Sequence, residues 1–161
     1  MAANTLASLT EAGADPLVLA ADTEVATWAE HGGWRVKLEP DSDLNQAASR
    51  IPGSAGTWAI CHADLPLLSW PDVAAALKLL SAGRLVLAPS SDGGTSFLGG
   101  TVDSFPFSYG PGSFHRHLAA ALSHDPVVIW RLGFALDLDD QSDLAAALRH
   151  PRSVLANVAH Q

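Results

Sequence analysis

Three short stretches carry residues whose types and spacing could do chemistry. In "CHADLP", Asp64 follows an apolar run and stands two residues before Pro66. A carboxylate at a strand end is a hard oxygen donor suited to Mg2+, which takes one or two carboxylates together with substrate phosphates. The plainer alternative is an aspartate that opens a turn before proline. In "LDLDD", Asp137 and Asp139 would share a face of a strand, and a common cation would relieve their repulsion. Against this, Asp139 or Asp140 could simply cap the helix read in "QSDLAAALRH", which explains Asp140 well and Asp137, in an apolar run, less well. The third stretch is "SSDGGTSFLGG", residues 90–100, taken with "YGPGSF", residues 109–114. A glycine-rich turn that enters a helix can offer amides and the positive helix end to an anion. Gly110, Gly112 and Ser113 fit that role before "FHRHLAAAL", and Thr95 could add a hydroxyl. Yet "DG" and "GG" between apolar runs are equally hairpin signals.

Other constellations fall away. His115 and His117 are two apart on a helix and do not share a face, so they make a poor zinc pair. His62 and Asp64 could share a strand face, but nothing nearby completes a metal site. There is no G-x-S-x-G elbow, H-E-x-x-H or Walker A sequence. The tryptophans are spread along the chain and read as packing residues, not as a platform for stacking bases.

Short apolar runs alternating with helical stretches must position these groups. "NTLASLTEAGA" reads as a helix with Asn4 as N-cap and Gly13 just past its end. "DPLVLAA", "WRVKLE", "TWAICH", "RLVLAP", "PVVIW" and "FALDLD" read as strands. "TEVATWAEHGG", "DLNQAASR", "GSFHRHLAAALSH" and "DLAAALRH" read as helices. The clearest helix is "SWPDVAAALKLLSAG", with Ser69 placed to cap it, Pro71 and Asp72 in its first turn and Gly83 ending it. "RSVLANVAHQ" would add a last helical turn or two. Such alternation implies βαβ units and a mostly parallel sheet with helices on both sides, in one domain over residues 1–161. Ligands of such sheets bind beyond the carboxyl ends of the strands. Asp22, residues 39–43, 62–66 and 90–96, and Asp137 to Asp140 are the positions to inspect.

Composition narrows the function classes. The 161 residues are 48% hydrophobic and 16% charged, as in a folded globular chain. A net charge of −8 argues against a nucleic-acid or anionic membrane partner, since either needs a basic face. The single cysteine, Cys61, cannot form an internal disulfide, and the start has no signal-peptide pattern, so a cytoplasmic location is expected. No apolar run approaches the ~20 residues of a membrane span.

The stretches "HADLPLL", "LAPSSDGGTSFLGG", "FPFSYGPGSFHRHLAAA" and "LDLDDQSDL", in this order, resemble the 2-phospho-L-lactate or phosphoenolpyruvate guanylyltransferases of deazaflavin coenzyme biosynthesis. These belong to a wider group related to the molybdenum cofactor guanylyltransferases. The resemblance runs from about residue 10 to residue 148, and "FPFSYGPGSFHRHL" is its most specific part. It implies a three-layer α/β/α nucleotidyltransferase fold, like that of the nucleotide-diphospho-sugar transferases. It also implies transfer of GMP from GTP to a small phosphorylated carboxylic acid, with loss of pyrophosphate. Asp64, Asp137 and Asp139 would match the family's Mg2+ carboxylates. Gly94, Thr95, Gly110, Gly112 and Ser113 would match its binders of the acceptor. Asn45, in "DSDLNQA", would stand near the nucleotide. The chain departs from the family by lacking a front strand and basic loop, so it reads as N-terminally truncated, and its first 34 residues hold no Lys or Arg. Ser96 stands where the family usually has Asn. The sheet edge left by the missing strand would need covering, and a homodimer could do so. The alternative function is a non-catalytic member that binds a small phosphorylated carboxylate or serves as a partner subunit.

Overall fold

The glycine-rich stretch folds as the turn of a β-hairpin, and each of its four glycines has a physical reason. Residues 1–53, 56–138 and 140–155 are described in the computed structural model. Strand β4 (Val86–Pro89) runs into the turn and β5 (Thr95–Gly100) returns antiparallel to it. Gly93 takes φ +88°, a left-handed conformation open to glycine. At Gly94 a Cβ would lie 2.6 Å from Ser90 Oγ and 3.0 Å from Asp92 Oδ1. At Gly99 it would meet Trp58 O at 2.7 Å, and at Gly100 Leu85 Cδ1 at 2.6 Å. The last two glycines therefore let β5 pack closely against its neighbours.

The four-stranded sheet has the order β3 (Trp58–Cys61), β5, β4, β6 (Val127–Val128). Both β3 and β4 oppose β5 and so point the same way, and β6 is parallel to β4. Three of the four strands thus run the same way, but two of the three ladders are antiparallel, because a hairpin places the reversed β5 between β3 and β4. A second sheet pairs β1 (Leu17–Ala20) and β2 (Arg35–Leu38) in parallel through helix α2 (Thr23–His31).

Alternation along the strands divides the core into two layers of side chains. Val86, Ala88 and Phe97 face one side, where Val73, Ala76 and Leu80 of α4 (Trp70–Ser81) and Phe134 of α6 (Leu132–Ala135) pack. Leu85, Leu87, Leu98 and Trp58 face the other, against Phe105 and against Phe114 and Ala121 of α5 (Ser113–Ala121). Helix, sheet and helix make the three layers expected. Helix α1 (Ala2–Glu11) packs on α4, α3 (Leu44–Ser49) precedes β3, and α7 (Gln141–Arg149) opens with a capping box on Asp140.

Four local expectations need correction. "FALDLD" is not a strand: its first residues close α6, and residues 136–138 follow as irregular chain. Asn4 lies inside α1, whose N-cap is Met1, because its side chain is drawn to Leu68 O at 3.0 Å. Ser69 is the N-cap residue of α4 as expected, but its side chain does not cap the helix amides, since its hydroxyl donates to Asp72 Oδ2 at 2.6 Å. Residues 152–155 of "RSVLANVAHQ" form turns and no helix, and the rest of it lies outside the described residues.

Candidate functional site

Asp64 sits in the loop that leaves β3 at its carboxyl end, and that loop is strapped from outside. From α1, Thr5 Oγ1 donates to Ala63 O at 3.2 Å, and Asn4 Nδ2 donates to Leu68 O. From the chain's far end, Val154 N donates to Pro66 O at 3.1 Å. These contacts leave Asp64 Oδ1 buried with no hydrogen-bond partner. A carboxylate oxygen can only accept, so it is satisfied by a donor or by a cation. Two nearby polar atoms share that condition, His62 Nε2 and Tyr109 Oη. The His62 and Tyr109 rings lie 5.4 Å apart. Cys61, just before them, is no nucleophile: burial, then the charge of Asp64, push its thiol up to about 12. Burial, then Cys61, raise the Tyr109 phenol as well, which keeps it a hydroxyl donor.

Across from this loop, the hairpin turn and the start of α5 form one polar unit. In the turn, Asp92 accepts from Gly94 N at 2.8 Å and from the Ser90 hydroxyl, and these bonds, Ser90's first, lower its carboxyl below the ordinary range. Gly93 O then accepts from Phe114 N at 3.1 Å, joining turn to helix. The loop before α5 is held by Arg116, whose guanidinium donates to Ser108 O and Pro111 O at 2.8 and 2.7 Å. Gly110 and Gly112 take φ +119° and +68°, left-handed conformations that favour glycine. Tyr109 N donates to Asn45 Oδ1 at 2.6 Å, so α3 anchors the same loop.

At the centre are three buried side chains. Ser113 Oγ donates to Thr95 Oγ1 at 3.2 Å, and His117 Nδ1 stands 2.9 Å from the same oxygen. The other ring nitrogen of His117, Nε2, accepts from Ser108 N at 2.8 Å. Burial, then the charge of Arg116 and then His62, push the His117 ring down to about 4, so it is neutral at neutral pH.

The sequence candidates therefore land as follows. Thr95 and Ser113 are brought into contact, with Gly110 and Gly112 in the adjoining loop. The Gly94 amide is taken up by Asp92, and the Ser113 amide by Gly110 O at 3.0 Å. Asn45 is joined to the loop by its carbonyl oxygen. Asp137 is buried beyond α6, and Asp139 lies outside the described residues. Among the described residues no three His, Cys, Asp or Glu side chains gather as a metal cluster. Sequence reasoning misses Tyr109 and the place of His117 beside Thr95. The signal for His117 was its spacing of four from Ser113, which places both on one helix face; pairing it with His115 hid this. No described helix is long and apolar enough to cross a membrane.

Comparison with known proteins adds the family. Residues 1–157 match the family model described as "Guanylyl transferase CofC like". The chain is 35% identical over 144 residues to a phosphoenolpyruvate guanylyltransferase of Roseiflexus sp. (strain RS-1), covering 84% of this chain and 64% of that protein. It is 34% identical to a 2-phospho-L-lactate guanylyltransferase of Methanopyrus kandleri, covering 76% and 71%. A 2-phospho-L-lactate guanylyltransferase of Halobacterium salinarum is 32% identical, covering 93% and 70%. The match thus spans less than two thirds of the Roseiflexus protein's own length. With nearly the whole chain matched, and with the hairpin, the glycine loop and α5 built around Thr95 and Ser113, this protein belongs to the CofC-like guanylyltransferase family.

Proposed function

We propose that the chain transfers GMP from GTP to the phosphate of phosphoenolpyruvate or 2-phospho-L-lactate. A phosphate oxygen of the acceptor attacks the α-phosphorus of GTP, a new P–O bond forms, and the bond to the β-phosphate breaks to release pyrophosphate. The observation that carries this reading is the hydroxyl pair of Thr95 and Ser113 on the glycine loop, together with the orphaned carboxylate oxygen of Asp64. The pair would hold the acceptor's phosphate, Thr95 through its own hydrogen and Ser113 by donating to Thr95, with Gly94, Gly110 and Gly112 shaping the backbone around it. Asn45 would turn its amide nitrogen to the nucleotide.

Asp64 fits a hard cation, because its buried Oδ1 lacks any donor. With Asp137 and Asp139 it would hold Mg2+, which when bound neutralises charge on the reacting phosphates. The protein's own work is positioning: the straps from α1 and from Val154 fix the Asp64 loop, and Arg116 fixes the glycine loop. No protein nucleophile is needed, in keeping with a Cys61 thiol that stays protonated.

A second reading, acceptor binding without catalysis, needs only the hydroxyl pair and the glycine loop. Mass spectrometry of the chain incubated with GTP, Mg2+ and either acceptor separates the two. A guanosine-diphosphate-linked product is expected, with its rate reduced about a hundredfold or more in Asp64→Asn. Acceptor binding without GTP binding or product would establish the second reading instead.

A further inference from the structure

We infer that His117 is a positioning residue that makes the Thr95 hydroxyl an obligate donor toward the acceptor's phosphate. The inference rests on the acceptor site proposed above and assigns a role within it.

The argument begins at the Ser108 amide. A backbone N–H can only donate, so His117 Nε2, 2.8 Å away, carries a lone pair. The proton of the neutral ring is then on Nδ1, which faces Thr95 Oγ1 at 2.9 Å and donates to it. Ser113 Oγ donates to the same oxygen from 3.2 Å. A hydroxyl oxygen has two lone pairs and one hydrogen. With both lone pairs filled, Thr95 can engage a third group only by donating its own hydrogen. An anion oxygen accepts such a hydrogen, whereas a lone pair turned the same way would repel it.

His117 suits this task because it cannot easily change state or place. It is completely buried, its ring makes edge contacts with Tyr109 at 4.8 Å and Phe105 at 5.9 Å, and burial keeps it neutral. Its two bonds also couple the Ser108 loop to β5, so the loop's position and the direction of the Thr95 hydrogen are set together.

The test is a mutant cycle read by direct binding of phosphoenolpyruvate and 2-phospho-L-lactate, with GTP binding and thermal stability followed in parallel. His117→Asn offers an amide N–H near the Nδ1 position, and His117→Gln offers its polar end near Nε2. The Asn variant is expected to bind acceptor close to the unmodified chain. The Gln variant, which can still serve the Ser108 amide but not Thr95, is expected to weaken it by about tenfold to a hundredfold, with GTP binding little changed. Thr95→Val should weaken it comparably, and adding His117→Gln to Thr95→Val should cost nothing further. Additive losses in the double variant, or rescue by Gln and not Asn, would overturn the inference while leaving the acceptor site standing. If the unmodified chain bound neither acceptor, the site reading itself would fall, and the inference with it.

Discussion

Tyr109 shows how a single residue can separate folding from binding. Its ring is buried against Phe107 in a near-parallel stack with centroids 6.0 Å apart, and its amide is anchored by Asn45, yet its hydroxyl has no partner. A buried hydroxyl left unsatisfied costs about 1–3 kcal/mol, so the unliganded fold gains nothing from it. Tyr109→Phe should leave thermal stability unchanged or raise it by up to about 1 kcal/mol, because the ring packing stays. The same change should weaken acceptor binding if the substrate supplies the missing partner. Melting curves with and without phosphoenolpyruvate check both halves, and a variant that melts earlier without ligand would mean that the hydroxyl has a structural role. Thr95, Ser113 and Asp64 can be proposed from sequence because hydroxyls and carboxylates beside turns are local signals. The orphaned atoms of Tyr109 and His62 cannot, since a missing partner is a tertiary fact that no spacing reports.

Among the elements, α6 is where local pattern and structure part. "FALDLD" alternates as a strand should, yet a clasp upstream turns its start into a helical turn. Arg131, at the N-cap of α6, donates to Asp72 Oδ1 at 2.9 Å, and Arg152 donates to Asp72 Oδ2 at 2.8 Å. Burial pushes the Asp72 carboxyl up, but hydrogen bonds from Ser69, Arg131 and Arg152 outweigh it and hold it below the ordinary value. Gly133 makes the clasp fit: a Cβ there would lie 2.3 Å from Asp72 Oδ2 and 2.8 Å from its Cγ. Gly133→Ala should therefore destabilise the chain by about 1–3 kcal/mol, since the carboxylate cannot move without losing its arginines. Denaturant midpoints of this variant, alone and with Asp72→Ala, check the cause: the penalty should shrink once the carboxylate is gone. A lowered folded pKa also fixes the sign with pH. The clasp contributes fully above the ordinary aspartate range and is lost as pH falls through the lower folded value. Long-range ion pairs over some 60 to 80 residues leave no trace in periodicity, whereas α4, with its proline, first-turn aspartate and closing glycine, could be read from local chemistry alone.

The whole molecule contains two sheets of unequal standing. Strands β4 and β5 are buried at every position, with helices on both faces. In the β1–α2–β2 unit, Leu17, Val25, Trp28 and Leu38 are exposed, and the two strands pair only with each other among the described residues. Two strands alone are marginal in water, so this unit depends on its neighbours. Opening free energies within one fold range from near zero to the global value. Amide hydrogen exchange should therefore show β1 and β2 exchanging on the order of a hundredfold faster than β4 and β5. Equal protection of the two sheets would mean that they open as one unit and would refute this division. Helix α3 is the element that reports on both parts, because Asn45 holds the Tyr109 amide of the candidate site and Arg50, at its end, pairs with Glu39 just after β2. Adding phosphoenolpyruvate should slow exchange in α3 and in the 108–112 loop while leaving β1 and β2 as labile as before. Slowing across β1 and β2 as well would show that ligand binding at the glycine loop consolidates the whole chain.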